Sequence, residues 1–376
     1  MKQILIVGAG KIGAVIADLL SACGDYEVTV ADRDGDALDR LVAALPALTV
    51  ETLDAHDDAA LSPILANKYA LINASPFGMS ARLAHAAVEA GVHYFDLTED
   101  VASAHSIRSL AQDASTVLMP QCGLAPGFIS IAAYDLCTRF DTLHNVHMRV
   151  GALPRFPSNA LKYNLTWSTD GLINEYLNPC EAIVNGERRE MPALEELEHF
   201  SLDGDSYEAF NTSGGLGTLC DTLKGRVRNL NYRTVRYHGH RDVMKLLLHD
   251  LRLGERRDLL KDILEAAIPV TMQDVVLVFV NVSGMREGRL MQETFARKIY
   301  SYSINGTLRS AIQITTASAL CAALDLLVEG RLPERGFVRQ EDIRFDDFMC
   351  NRFGRNFMID GVEPDSASTG GECRAR

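Results

Sequence analysis

Apolar positions follow two different periods along this chain. Short runs apolar at nearly every position fall near 3–7, 27–31, 48–53, 69–73, 92–96 and 116–119, with helical spacing between them near 11–22, 35–45, 58–66, 79–90 and 103–114. Strands apolar on both faces belong to parallel sheets covered by helices. The first third therefore predicts a doubly wound α/β sheet of about six strands. Gly123, Pro126 and Gly127 interrupt this rhythm, and the crossover to a second domain is expected at 126–138. Beyond it the pattern predicts an antiparallel sheet with few helices, its strands at 144–151, 160–167, 181–185, 230–237, 273–283 and 290–303. The last two read as a long hairpin through Gly284-Met285-Arg286-Glu287-Gly288, apolar enough to expect a second subunit over its face. Ala311 to Leu327 has helical spacing and stops before Gly330 and Pro333. The expected division is a dinucleotide-binding type domain at 1–125, an inserted α+β domain at 126–308, returning helices at 309–360 and a disordered Gly- and Ser-rich tail at 361–376.

Composition narrows the class. With 376 residues and 47% hydrophobic content the chain can bury two cores, and a formal charge of −13 argues against nucleic acid or an anionic membrane as main partner. No apolar run is read as long enough for a membrane span and the chain opens on a strand, so a cytoplasmic protein is expected. The eight cysteines lack any C-x-x-C pair, which points to reduced thiols and neither zinc nor a disulfide framework.

The candidate chemistry begins at Gly8-Ala9-Gly10-Lys11-Ile12-Gly13, between the apolar run Ile4–Val7 and a helix start. In this G-x-G-x-x-G pattern Gly8 permits the turn, Gly10 lets backbone approach a pyrophosphate, and Gly13 lets helix pack on strand. Lys11 and Ile12 supply first-turn N–H groups. The alternative is a glycine turn made for packing alone. Asp32 closes the second strand at the offset of the residue that holds a ribose 2′-hydroxyl, which favours NAD over NADP. Arg33 either turns toward a 2′-phosphate or is a solvated surface charge. Asn73, Ala74, Ser75 and Pro76, at the carboxyl end of the fourth strand, border the cofactor or form a plain Ser-Pro turn.

With both halves in view, the chain resembles the saccharopine dehydrogenase family. The resemblance rests on GAGKIG, the Ala90-to-Leu97 stretch, Gly123-Leu124-Ala125-Pro126-Gly127 beside G-L-D-P-G, Gly151-Ala152-Leu153-Pro154, Leu161-to-Ser168 beside L-x-Y-K-F-S-W-S, and Thr234-to-Gly239 beside T-L-R-Y-x-G. It implies a Rossmann-type cofactor domain, an inserted substrate and dimer domain, and a C-terminal return. It also implies NAD(P)-dependent oxidation at the CH–NH or CH–NH2 carbon of a lysine-derived amino acid, by a homodimer. Three positions depart from the saccharopine reductase pattern: Ala125 replaces its Asp, Val150 its Cys, and Asn211-Thr212-Ser213-Gly214 corresponds to N-R-D-S without the carboxylate-gripping Arg. The stretch Glu208 to Leu219 resembles the lysine 6-dehydrogenase branch more closely. A polyamine enzyme of the carboxynorspermidine dehydrogenase type and a catalytically silent NAD-binding sensor are the alternatives.

Amine oxidation needs a neutral amine and a positioned proton acceptor. Glu99, just past the fifth strand, is the candidate for proton handling, with a solvated loop carboxylate as the alternative; Asp96 reads equally as a helix cap. Arg236 is the candidate for a substrate carboxylate, against an Arg paired with an acid across the sheet. Tyr163, Trp167, Ser168 and Thr212 are candidate substrate contacts, Trp167 being equally an ordinary core residue. His240 is a candidate catalytic group or a helix-start residue. The pairs His238/His240 and His144/His147 lack further ligands at suitable spacing, so no metal is expected.

Overall fold

Ile4, Leu5, Ile6 and Val7 are apolar without alternation because helices cover both faces of their strand, and all four are buried. In the computed structural model, which describes residues 1–358, they form β1 (Lys2–Val7). There follow α1 (Lys11–Ala22), β2 (Tyr26–Asp32), α2 (Gly35–Ala44), β3 (Thr49–Thr52), α3 (Asp58–Leu65), β4 (Ala70–Asn73), α4 (Ser80–Ala90), β5 (His93–Asp96), α5 (Val101–Leu110) and β6 (Val117–Met119). The strands pair in parallel, in the spatial order 6-5-4-1-2-3. The order reverses between β1 and β4, which opens a crevice at their carboxyl ends. Asp34, Asp57 and Asp100 cap α2, α3 and α5 by accepting from first-turn N–H groups.

The chain then runs through α6 (Phe128–Cys137), β7 (Thr142–Pro154), α7 (Thr169–Leu177), β8 (Cys180–Val184), β9 (Glu187–Met191), β10 (Glu198–Leu202), β11 (Asp205–Asn211), α8 (Leu219–Thr222), β12 (Val227–Arg236), α9 (His240–Lys245), α10 (Arg257–Ala267), β13 (Asp274–Arg286), β14 (Arg289–Tyr300), β15 (Tyr302–Ile304) and β16 (Thr307–Arg309). It closes with α11 (Ala311–Val328), β17 (Gly336–Phe337) and α12 (Phe345–Cys350). Two compact units result: Met1–Phe128 with Gln313–Met358, and Ile129–Ile312. The boundaries fall at 128/129 and 312/313, beside the expected 125/126 and 308/309. The tail expected to be disordered at 361–376 lies outside the described residues.

The sheet of the second unit runs β10-β11-β12-β7-β13-β14, with a β8/β9 ribbon on β12. It is mixed, not antiparallel as the pattern suggested, because β7 and β12 lie parallel. The long connection between them gives the chain the length that a parallel crossover needs. One face carries Tyr163, Tyr176, Phe210, Leu260 and Leu264 under α7 and α10; the other carries Tyr207, Ala209, Val235 and Val275. Alternation along β11 and β12 therefore sends Glu208 and Arg236 to the helix-covered face.

Three further expectations need correction. The strand expected at 160–167 is irregular chain, because Lys162 adopts a positive φ of 51° and only a bridge from Leu165 to Val270 forms. Leu161, Tyr163 and Leu165 still point inward, which imitates a strand in the sequence. The hairpin ladder continues through Met285 and Arg286 to a two-residue turn at Glu287-Gly288, both at positive φ (51° and 73°). Finally, α11 is 18 residues long with a mean hydropathy of 1.7, long and apolar enough to cross a membrane, against the expectation that no run reaches that length. Within the fold 89% of it is buried as a core helix.

Candidate active site

The glycine motif takes the shape its spacing implies. A Cβ on Gly8, at φ 113°, would lie 2.6 Å from the Ala74 carbonyl oxygen, and one on Gly13 would lie 1.9 Å from that of Gly8. Neither position accepts a side chain. Gly10, by contrast, would meet nothing within 4 Å, so the approach to the first turn of α1 is open on that side. Gly10 caps α1 without any side-chain hydrogen bond, and the first turn holds no acidic residue, leaving the N–H groups of Lys11, Ile12 and Gly13 facing outward for an anion. The cradle fits a dinucleotide pyrophosphate.

Asp32 braces this cradle. Its Oδ2 accepts from the Ala9 N–H at 2.7 Å and its Oδ1 from the Asp34 N–H at 2.9 Å, so the carboxylate is fixed beside the loop with one acceptor position left on each oxygen. Arg33 is exposed. Asn73 is buried and wholly engaged: its amide donates to Ser80 Oγ and Tyr94 Oη, and its Oδ1 accepts from the Ser75 N–H and Oγ–H. It shapes the turn and offers no free group, while Ala74 lies against Gly8 and Pro76 leads into a short 3-10 turn.

Two carboxyl groups past β5 differ sharply. Asp96 is fully buried and accepts from the N–H groups of Thr98 and Gln121 and from Tyr94 Oη–H. Burial raises its pKa to about 6 against those donors. It pins the loop after β6 and does not cap α5, a task that falls to Asp100. Glu99 is partly buried. Burial, then the charges of Asp100 and Asp96, push its carboxyl up to about 7, against a hydrogen bond from its own N–H.

In the second unit Arg236 is buried between Tyr163 and Tyr176, its guanidinium carbon 5.2 Å and 5.9 Å from the two ring centroids. Nε–H donates to Tyr176 Oη at 3.0 Å and one Nη1–H to the Val235 carbonyl at 2.8 Å. Its register partner across the sheet is Glu208, but the Glu208 oxygens accept from the N–H groups of Gly239 and Arg241. Among the described residues no carboxylate is within ion-pair distance of Arg236. The cross-strand pair considered as its alternative role is absent.

The proton positions behind Arg236 follow from chemistry alone. His240 Nδ1 lies 2.8 Å from the Leu161 carbonyl, which only accepts, so the proton sits on Nδ1. Nε2 then accepts from Tyr176 Oη–H at 3.0 Å, and Tyr176 Oη accepts from Arg236. Burial and Arg236 push the His240 pKa down to about 3. His240 is thus a neutral positioning residue. The candidate catalytic role for it is corrected, because both ring nitrogens are spent on fixing Tyr176.

A family model described as the saccharopine dehydrogenase NADP binding domain matches residues 4–119, and one described as the saccharopine dehydrogenase C-terminal domain matches residues 123–355. The chain belongs to the saccharopine dehydrogenase family. It is similar to saccharopine dehydrogenase (NADP(+), L-glutamate-forming) of Pyricularia oryzae, 24% identical over 284 residues, 71% of this chain and 61% of that protein. It is also similar to carboxyaminopropylagmatine dehydrogenase of Synechocystis sp., 27% identical over 220 residues, 54% of this chain and 53% of that protein. The chain spans less than two thirds of either relative. The solved apo saccharopine dehydrogenase (L-Glu forming) of Saccharomyces cerevisiae shares the fold, with a TM-score of 0.77 over 95% of this chain and 96% of that one at 16% identity.

In this saccharopine dehydrogenase family member the motif at 161–168 splits in role. Tyr163 walls Arg236, and Trp167 Nε1–H donates to Tyr163 Oη at 3.0 Å. Ser168 is exposed, and its Oγ accepts from the Gly171 N–H to cap α7. Thr212 is buried with a hydroxyl that has no partner, as are Asn164 Oδ1 and Asn174 Nδ2. The Ser213 N–H donates to the Glu175 carbonyl, setting the Thr212 segment against α7. Nothing in the local sequence marks Tyr176, Glu175 and Asn174 as site residues. The cap at Ser168 followed by Leu172, Ile173 and Tyr176 at helical spacing marks only the helix.

Gly13→Ala should lower the melting temperature by several degrees, on the order of the 1–3 kcal/mol of overpacking, whereas Gly10→Ala should leave it unchanged and weaken dinucleotide binding about tenfold; differential scanning calorimetry and titration calorimetry check both. If Glu99 is a proton acceptor in amine oxidation it must be ionised, and the rate should then rise with pH through about 7 and level off. Glu99→Gln should remove that limb. Because the folded-state pKa is raised from 4.5, the stabilisation tied to the neutral carboxyl is complete below that value and declines as pH climbs through 7. Urea midpoints across this window should fall in the wild type and fall less in Glu99→Gln.

Proposed function

We propose that this chain oxidises, or in reverse reduces, the carbon–nitrogen bond of a lysine-derived amino acid with a nicotinamide dinucleotide. The observation that carries the reading is the buried Arg236 guanidinium, always charged, walled by two tyrosines and lacking an ion-pair carboxylate. The buried Glu175 carboxylate acts on it only at longer range, and with no carboxylate in direct contact the guanidinium keeps donors for the carboxylate of a substrate. Gly8, Gly10, Lys11, Ile12 and Gly13 hold the diphosphate. Asp32 suits a 2′-hydroxyl, and Arg33, exposed and unpaired among the described residues, suits a 2′-phosphate; the family's NADP-binding domain favours the second. When bound, the nicotinamide supplies the hydride acceptor or donor. Glu99, in the first unit, is the carboxyl poised to exchange a proton near neutrality. Thr212 offers its hydroxyl to a polar group of the substrate, and His240, through Tyr176, keeps Arg236 from turning away. A carboxyalkyl polyamine is the second reading, favoured by the likeness to carboxyaminopropylagmatine dehydrogenase.

The edge strand β14 ends the sheet with twelve residues unpaired on one side and exposes Leu290 and Met291. We assign to it a second copy of the chain, since a long bare edge favours pairing with another strand.

Turnover with lysine, saccharopine and carboxyaminopropylagmatine, each with NAD and NADP, tests the activity; no turnover on any of them would sink it. Arg236→Gln should lower kcat/KM at least about a hundredfold, on the order of the 2–5 kcal/mol of truncating one side of a buried pair, with dinucleotide affinity unchanged. Arg33→Ala should weaken NADP about tenfold and leave NAD alone. Light scattering should give a dimer that Leu290→Asp with Met291→Asp dissociates.

A further inference from the structure

His199, Glu208 and His238 come from separate segments of the second unit and converge on one face of its sheet. His199 and Glu208 are register partners across β10 and β11, and His238 follows the Arg236 end of β12, which pairs with Glu208. One nitrogen from each histidine and a carboxylate oxygen all lie within 4.8 Å of one another. The imidazole rings stack with centroids 4.6 Å apart and planes at 27°, and Nδ1 faces Nδ1 at 2.8 Å. Glu208 is buried and held in place by the N–H groups of Gly239 and Arg241, at 2.8 Å and 2.7 Å, which leaves a further acceptor position on each oxygen.

We propose that these three side chains form a site for a divalent metal ion of the zinc type. Two imidazole nitrogens and one carboxylate oxygen are a donor set suited to four-coordinate Zn2+, with water as the fourth ligand. Two facing Nδ1 atoms can share a single proton between them; a cation in that place satisfies both lone pairs and the carboxylate together. The neighbouring cations are committed elsewhere. Arg236 donates to Tyr176 and Val235, Lys162 Nζ to the His238 carbonyl, and Arg241 to the Leu194 carbonyl and Asp242. His199 is exposed, so its ring can turn to meet the ion. The site clamps the edge strand β10 to its neighbours and stiffens the His238-Gly239 link between Arg236 and α9. It is a different set from the His238/His240 pair, whose members part company because His240 turns into the core.

Titration calorimetry of Zn2+ into the chelator-treated full chain should give one ion per chain with micromolar or tighter affinity, and Co2+ should show the visible bands of a four-coordinate centre. His199→Ala and His238→Ala should each weaken Zn2+ about a hundredfold or more and abolish the rise in melting temperature that Zn2+ gives the wild type. Their metal-free melting curves establish that both variants fold. Failure to bind stoichiometrically, or binding that survives in the double variant, would overturn the site and leave a hydrogen-bonded histidine pair. The outcome does not depend on the proposed oxidoreductase activity.

Discussion

Keeping a permanent positive charge dry is the constraint on which the second unit turns. Arg236 cannot lose its proton, so the structure around it must supply either an anion or a dense set of acceptors and π faces. In direct contact it supplies the second, two tyrosine faces, one phenol oxygen and one carbonyl, with the buried Glu175 carboxylate acting from further off. Each partner is itself fixed from behind, Tyr176 by His240 and His240 by Leu161. The direction of every proton in that series is forced, and a histidine held at a pKa of about 3 adds no competing charge. Such an arrangement tolerates the guanidinium without a direct ion pair, unlike Arg233 with Glu196 at 2.7 Å.

The first unit meets the opposite demand, since it must keep a helix end bare. Three of its helices, α2, α3 and α5, have an aspartate at the N-cap, and α1 has none. The nearest acid, Asp32, spends its charge on Ala9 and Asp34, so it stiffens the loop without covering the N–H groups an anion would use. Asp96 and Glu99 show the same economy. Three donors tie the first into the scaffold, whereas the second, with a pKa of about 7, is poised to exchange a proton near neutrality.

What the sequence disclosed follows from range. The parallel strands and α1, with its limits at Lys11 and Ala22, were legible because a strand buried on both faces and a glycine turn are local signals. β9 was not, since Glu187-Arg188-Arg189-Glu190 is exposed and has no apolar alternation. Lys162 hid the irregular segment, because a single left-handed residue leaves the inward alternation of Leu161, Tyr163 and Leu165 intact. Arg236 and Thr212 could be named from the resemblance, but the roles of Tyr176 and His240 depend on contacts 60 and 64 residues apart in the chain. Spacing carries no record of those. The convergence of His199 and His238 is hidden for the same reason, as His199 lies on β10 and His238 in the turn after β12.

The departures from the saccharopine reductase pattern can now be weighed physically. Where that pattern has an arginine for a substrate carboxylate, this chain has Thr212, buried, with a free hydroxyl. A hydroxyl can accept or donate one hydrogen bond but cannot offset a buried anion, whose desolvation costs several kcal/mol. Arg236 remains as the buried cation able to do so, and a single guanidinium fork matches a single carboxylate. A ligand with one carboxylate and an otherwise polar or neutral chain therefore fits this set of groups better than one with three. Under the proposed function, that favours a lysine-like substrate held at one end, with hydroxyl and amide groups such as Thr212 and Asn174 available to the rest of the molecule.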